Sequence, residues 1–170
     1  TDQLQALHAA GHEVGCHTFG HTSVLRMDAE AMRLSLEANA AWVAARLDGH
    51  RMTTFAYPFG DATLAAKRII RSRFALGRGV RDGVNAGRED RGLIKSIGLE
   101  SRRLPHYDLE AMMADAASSN GWLTAYGHDV SDRPTDYGCT PDDLDRVLRA
   151  AKGAGLEILP IGQAWAKLAA

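Results

Sequence analysis

Hydrophobic and polar positions along the chain follow two periods in turn, and this alternation predicts an α/β protein. Helical spacing of apolar residues predicts helices over residues 1–10, from Asp28 to Gly49, after Asp61, over residues 109–117 and after Thr140. Short apolar runs predict strands leading to His17 and over residues 52–57, 74–77, 93–97, 122–126 and 156–159. Because strands and helices follow one another, we expect a mostly parallel sheet, either open or closed into a barrel.

Composition sets the class of protein but not its chemistry. With 170 residues, 45% of them hydrophobic, residues 1–170 are expected to form one globular domain around one core. Twenty basic and 21 acidic residues give a net charge of −1, which argues against nucleic acid or an anionic membrane as the main partner. No apolar run approaches the roughly 20 residues of a membrane-spanning helix.

A pair of histidines closes the first predicted strand. In an extended segment Glu13, Gly15 and His17 share one face, and Gly20 lets the chain turn so that His21 swings back towards His17. Two neutral imidazoles at this spacing suit zinc, iron, cobalt or nickel better than magnesium or calcium. A pair of surface loop histidines would show the same spacing, so neighbouring residues must decide between the two interpretations.

Chemically capable residues follow three of the predicted strands. They are His17 with His21, the run Tyr57-Pro58-Phe59-Gly60, and His128-Asp129. In α/β proteins the carboxyl ends of parallel strands are where active sites form, so we expect these three places to contribute to one site. Taken singly, the second run could be only a turn and His128 only a histidine with satisfied hydrogen bonds at a strand end.

Three ordered motifs carry a family resemblance. Residues 11–21, 55–60 and 122–128 resemble the motifs of the polysaccharide deacetylases, that is, carbohydrate esterase family four with its chitooligosaccharide deacetylase homology domain. The resemblance implies a distorted (β/α) barrel that removes N- or O-acetyl groups from sugars with a divalent metal. The metal implied is zinc above all, with cobalt, nickel or iron as alternatives.

The resemblance also implies roles for single residues. His17 and His21 would be metal ligands, and Thr18 would brace the loop between them. Phe59 stands where the family usually has tyrosine, and its backbone N–H would donate to the oxyanion of the tetrahedral intermediate. Ala56 stands where many members carry an arginine that orients the catalytic aspartate, so this chain would lack that support.

The third motif implies the acid of the reaction. His128 matches the histidine that protonates the leaving amine, a role suited to a pKa near working pH. Asp129 either holds the imidazole tautomer of His128 or is an ordinary turn residue. Tyr57, Pro58 and Tyr126 are candidate substrate contacts.

One family motif has no counterpart in these 170 residues. Family members open with a strand ending in Thr-Phe-Asp-Asp, which supplies the general base and a third metal ligand. The pair Asp142-Asp143 follows Thr140-Pro141 at a predicted helix start and cannot replace it. We therefore expect an incomplete barrel that lacks its first β/α unit or units, and no activity from these residues alone.

Three functions are compatible with this sequence. The first is a metal-dependent deacetylase, a hydrolase of non-peptide carbon–nitrogen bonds, acting on an N-acetylated sugar, polysaccharide or other acetylated small molecule. The second is a non-catalytic relative that binds carbohydrate or metal. The third is an amidohydrolase of the same fold that acts on a non-sugar amide.

Overall fold

The computed structural model describes residues 2–169, which form two compact units of mixed α/β structure. The first unit comprises the chain up to Gly79, residues 90–94 and the chain from Pro160 onward. The second unit comprises residues 80–89 and 95–159. The α/β class predicted from the sequence is confirmed, and the predicted helix start at Thr1 lies outside the described residues.

Helices and short strands follow one another along the chain. The helices are α1 (Asp2–Ala9), α2 (Ala29–Ala44), α3 (Leu64–Arg73), α4 (Leu109–Ser118), α5 (Pro141–Gly153) and α6 (Ile161–Leu168). The strands are β1 (Thr54–Ala56), β2 (Leu76–Arg78), β3 (Ile97–Gly98) and β4 (Ala125–Tyr126). One-turn 3₁₀ helices occupy Val24–Arg26, Pro58–Gly60 and Leu104–His106. None of the helices in residues 2–169 is long and apolar enough to cross a membrane.

The sheet of the first unit is parallel and centred on β1. Strand β1 pairs with β2, with Thr54 opposite Leu76 and Ala56 opposite Arg78. On the other side of β1, Cys16 forms a parallel bridge with Phe55. Its N–H donates to the Thr54 carbonyl at 2.9 Å, and its carbonyl accepts from Ala56 N–H at 2.8 Å. The predicted strand before His17 is thus reduced to a single bridge, which nevertheless fixes its register against β1.

A buried cluster under one face of this sheet holds the first unit together. Cys16 and Phe55 point into it, together with Leu36 of α2 and Ile70 of α3. Fully burying a side chain of the size of Leu, Ile or Phe contributes roughly 1.5–3 kcal/mol. Cys16 is 1% exposed, so this cysteine is a core residue, as its position opposite His17 predicts. Burial raises the pKa of its thiol.

The second unit has its own sheet and core. Strands β3 and β4 are parallel, with Ile97 opposite Ala125 and Gly98 opposite Tyr126. Helices α4 and α5 pack on this sheet through a buried cluster: Ile97, Leu104, Leu109, Met113, Cys139, Val147 and Ala151.

Helix starts agree with the sequence at two of the three predicted capping residues. Asp28 accepts from Ala31 N–H and Thr140 from Asp143 N–H, as predicted. The prediction that Asp61 caps α3 is wrong, because Thr63 is the N-cap. The Asp61 carboxylate instead accepts a hydrogen bond from the Ser23 hydroxyl at 2.5 Å.

The predicted strand over residues 156–159 is not formed. Gly155 adopts a positive φ of 72°, and Leu156 N–H donates to the Ala151 carbonyl, so this segment closes the end of α5. Helix α6 follows and was not predicted from the sequence. Its start is held by Glu13, whose carboxylate accepts from Gly162 N–H at 2.7 Å.

Candidate functional site

His17 and His21 lie next to each other at the carboxyl end of the Cys16 bridge. Their ring centroids are 4.7 Å apart, with the planes inclined at 60°. Both residues are exposed. The turn predicted at Gly20 therefore brings the two imidazoles together in one unit of the protein.

A backbone contact sets the tautomer of His17. Its Nδ1 lies 2.8 Å from the Ala56 carbonyl oxygen. Because a carbonyl only accepts, Nδ1 must carry the proton, and Nε2 is then the nitrogen with the lone pair. This is the arrangement in which a backbone carbonyl orients a metal-binding imidazole.

The loop between the two histidines has unusual backbone geometry. Thr18 and His21 both have positive φ values, 63° and 51°, which are uncommon outside glycine. The Thr18 side chain is buried, and its hydroxyl oxygen has no hydrogen-bond partner among the described residues. Within residues 2–169 this hydroxyl therefore makes no hydrogen bond that would brace the loop as expected. A strained loop with an unsatisfied buried oxygen is typical of functional sites.

The donor set near these histidines is incomplete. Within residues 2–169, no group of three or more His, Cys, Asp or Glu side chains is arranged to hold a metal ion. Two adjacent imidazoles with one tautomer fixed fit a divalent transition metal as two of its ligands. The remaining ligands would have to be water, substrate or a group outside these residues.

The Pro58–Gly60 turn stands beside the histidine pair. Phe59 lies 4.6 Å from the His21 ring, measured between centroids, and its side chain is 66% exposed. Its backbone has a φ of 60° and a ψ of 2°. The Phe59 amide sits at the second position of a one-turn helix, where an N–H has no partner within the helix. This amide is therefore a candidate donor for an oxyanion, the role that the family resemblance implies for it.

A hydrogen bond ties the two loops together. The Ser23 hydroxyl donates to Asp61 at 2.5 Å and also accepts from Leu25 N–H at 3.1 Å. Ser23 follows His21 by two residues, and Asp61 follows Phe59 by two residues. The pair therefore fixes the histidine loop against the Phe59 turn. No local sequence pattern predicts this hydrogen bond, because neither residue belongs to a recognised motif.

Two predicted substrate contacts are corrected by the structure. Tyr57 is 1% exposed, and its hydroxyl donates to the Gly92 carbonyl at 2.9 Å within the core. Burial raises the pKa of the Tyr57 phenol well above its ordinary value. Pro58 is also fully buried. Neither side chain reaches solvent, so their contribution is to set the turn that carries Phe59.

His128 lies in the second unit, on the loop after β4. Its Nδ1 lies 3.2 Å from the Tyr137 carbonyl, so this nitrogen donates, and Nε2 carries the lone pair in the neutral ring. The ring also lies 5.5 Å from that of Tyr137, between centroids. The imidazole is exposed.

Asp129 does not hold the His128 tautomer, and the turn alternative agrees with the structure. Its carboxylate accepts from Thr135 N–H at 2.9 Å and from the Thr135 hydroxyl at 2.5 Å. These bonds hold the pKa of Asp129 below its usual range. They also order the loop that presents the Tyr137 carbonyl to His128. Asp129 therefore supports the orientation of His128 through this loop.

Tyr126 is part of a polar network. Its hydroxyl accepts from the Arg103 guanidinium at 2.8 Å, and the same guanidinium binds both oxygens of Asp82 at 2.9 and 3.0 Å. A Cβ on Gly98 would come within 3.0 Å of the Tyr126 hydroxyl and 2.9 Å of Arg103. A side chain at this position would therefore displace polar groups of the network. Tyr126 is half-buried at the carboxyl end of β4.

Comparison with known proteins identifies part of the chain. The family model described as Polysaccharide deacetylase matches residues 1–73, a span that includes both histidines of the pair and the Phe59 turn. The match does not extend to the motif at residues 122–128. A search of curated proteins finds no match. Residues 1–73 are therefore similar to the polysaccharide deacetylases, which confirms for this part of the chain the resemblance predicted from its motifs.

Proposed function

We propose that this protein is a metal-dependent deacetylase that removes acetyl groups from an N-acetylated sugar or polysaccharide. The observation that carries the proposal is the His17–His21 pair, 4.7 Å between centroids, beside the Phe59 turn and inside the deacetylase match. When bound to these imidazoles, a divalent metal, zinc above all, would supply Lewis-acid polarisation of the acetyl carbonyl.

The residues of the chain would each perform a separate task. The Phe59 amide would donate to the acyl oxygen as it becomes negative, a type of stabilisation that typically accounts for about 10²–10³-fold in rate. The Ser23–Asp61 hydrogen bond would keep this amide in place relative to the histidine loop. His128 would give a proton to the departing nitrogen, and Asp129 would order the loop that orients His128.

A second function has one observation in its favour. No carboxylate completes a metal-binding group with the two histidines within residues 2–169. A non-catalytic relative that binds metal or an acetylated carbohydrate would show the same donor set. Turnover decides between the two functions, because such a relative binds acetylated ligands without releasing acetate.

The experiment is an acetate-release assay on N-acetylated chitooligosaccharides with zinc- or cobalt-loaded protein. Both the full-length gene product and residues 1–170 alone should be assayed, with an O-acetylated sugar and a simple acetanilide as alternative substrates. We expect release from the sugar substrates by the full-length gene product and none from residues 1–170. Sugar binding without release by either form would instead indicate the non-catalytic relative.

A further inference from the structure

Helix α2 is apolar on its solvent side as well as on its core side. Its buried residues are Met32, Leu36 and Val43. The 3.6-residue period of a helix places six exposed apolar residues on the opposite side, which we call the outer face of α2: Ala31, Leu34, Ala38, Ala41, Trp42 and the C-cap Ala45. A helix with a solvated outer side normally has polar residues there, so the pattern of α2 is typical of a helix covered on both sides.

Large side chains stand towards the two ends of the outer face, and small ones lie between them. Leu34 is 59% exposed and Trp42 is 39% exposed. They lie about two helical turns apart on the same side of the helix. Midway between them, Ala38 contributes only a methyl group, so the backbone of another helix can approach closely there. The outer face is thus shaped to receive a helix with a large side chain on either side of its centre.

Opposite charges stand at the two ends of the outer face. Glu30 is an exposed acidic residue in the first turn of α2. Arg46 lies just beyond the last turn, with its guanidinium 3.9 Å from the centre of the Trp42 ring, and it donates to the Trp42 carbonyl at 3.0 Å. One guanidinium N–H group is used in this bond, and the remaining donors of the fork can still bind a carboxylate. The outer face therefore has an acidic end next to Leu34 and a basic end next to Trp42.

A second copy of α2 in antiparallel orientation complements both features. If a twofold axis passes through Ala38, residues equally far from Ala38 in opposite directions face one another. Leu34 of one copy then faces Trp42 of the other, and Glu30 faces Arg46. A parallel pair would instead bring Glu30 against Glu30, which is unfavourable. The antiparallel contact is isologous, so it closes at two copies.

We propose that the outer face of α2 binds a second copy of this chain as an antiparallel helix pair with Ala38 at the twofold axis. The 16 residues of α2 span about 24 Å, and a helix is about 10 Å wide. This contact is smaller than the roughly 800 Å² per partner of a standard interface, so the dimer should be weak. We expect a dissociation constant on the order of 10–1,000 µM. The proposal does not depend on the deacetylase function.

Sedimentation velocity of the full-length gene product, over protein concentrations from about 5 to 500 µM, tests the association. We expect the mean mass to rise from that of a monomer towards that of a dimer. Leu34→Glu places a charge against Trp42 of the second copy, so it should raise the dissociation constant at least about tenfold. Leu64→Glu, which alters an equally exposed leucine at the start of α3, is the matched control and should associate like the parent. Circular dichroism checks that both variants are folded.

Cysteine cross-linking tests the orientation of the two helices. The antiparallel pair places Ala31 of one copy opposite Ala45 of the other, and a disulfide requires Cα atoms within about 7 Å. Under mild oxidation, an equimolar mixture of Ala31→Cys and Ala45→Cys proteins should form a disulfide-linked dimer, whereas each variant alone should form little. The native cysteines, Cys16 and Cys139, are both buried.

Three results would overturn the proposal. The first is a full-length gene product that stays monomeric up to about 500 µM, which is the outcome expected if another part of the protein covers this face. The second is a dimer that Leu34→Glu weakens no more than Leu64→Glu does, which would place the interface elsewhere. The third is cross-linking of each cysteine variant with itself but not in the mixture, which would indicate a parallel pair.

Discussion

The two histidine loops orient an imidazole in the same way but on different supports. In each loop Nδ1 faces a backbone carbonyl, that of Ala56 for His17 and that of Tyr137 for His128. The Ala56 carbonyl belongs to a strand held by its neighbours and by a buried core. The Tyr137 carbonyl belongs to a loop that is ordered by Asp129 and Thr135. Strand pairing therefore positions the carbonyl that orients His17, whereas local hydrogen bonds position the carbonyl that orients His128.

This difference predicts how each site can be broken. The histidine pair should lose its function only when the imidazoles themselves are removed. Changes elsewhere should matter less, because buried contacts stabilise the strand that supports the pair. The His128 loop should also fail when its local hydrogen bonds are disturbed while His128 itself is unchanged. The family match covers the histidine pair but not His128. Variants of the His128 loop therefore test residues that the family match leaves unassigned.

The largest effect is expected from replacing both His17 and His21 with alanine. Bound zinc should fall to the level of a metal-free control, and acetate release by the full-length gene product should fall to background. This loss should exceed the roughly 10²–10⁴-fold that a single acid group typically provides. Metal content by mass spectrometry checks it, with the exposed His12→Ala as matched control. An unchanged zinc content in the double variant would refute a metal site at these two histidines.

His128→Ala should have the next largest effect. Protonation of the departing nitrogen matters only in the transition state, so kcat should fall about 10²–10⁴-fold while KM changes little. Steady-state kinetics on an N-acetylated sugar measure both constants. His106→Ala, an exposed histidine of the same unit, should behave like the parent. A His128→Ala rate within about twofold of the parent would assign this histidine another task.

Sequence patterns predicted the elements well wherever local chemistry decides them. Asp28 and Thr140 mark real helix starts, because a capping side chain needs only the next three residues. Asp61 has the same local signal but is bonded to Ser23, 38 residues away. Helix α6 was missed in part because its start is held by Glu13, 149 residues earlier in the chain. Such contacts cannot be read from a local window.

The candidate site shows the same difference between local contacts, which the sequence predicts, and long-range contacts, which it does not. The approach of His17 and His21 was predicted because the turn between them is local. The burial of Tyr57 was not, because it depends on Gly92 reaching its hydroxyl across the fold. The place of Ala56 next to Arg78 was not predicted either, since it follows only from the pairing of β1 with β2. Strand register is the information that the sequence pattern lacked.

A smaller effect is expected when Gly138, in the loop that orients His128, is replaced by alanine. In Gly138→Ala the new Cβ would come within 2.6 Å of the Asp129 carbonyl and would also meet its carboxylate, so the loop must shift. We expect kcat to fall about tenfold. This is less than the roughly 100-fold loss that a 1 Å misplacement of a catalytic group can cause. Hydrogen exchange at the Thr135 amide should become faster. Gly153→Ala, which has open space around its Cβ, is the matched control.

The smallest effect is expected at Phe59, although its ring lies beside that of His21. If its backbone N–H is the oxyanion donor, the side chain is dispensable for that task. Phe59→Gly keeps the amide and suits the positive φ of 60°, so kcat should stay within about fivefold of the parent. Phe59→Ala keeps the amide too but places a Cβ in a left-handed conformation, which costs roughly 1–2 kcal/mol. Thermal unfolding should therefore rank the glycine variant above the alanine variant. A loss of a hundredfold in Phe59→Gly would show that the ring against His21, rather than the amide, performs the work of this turn.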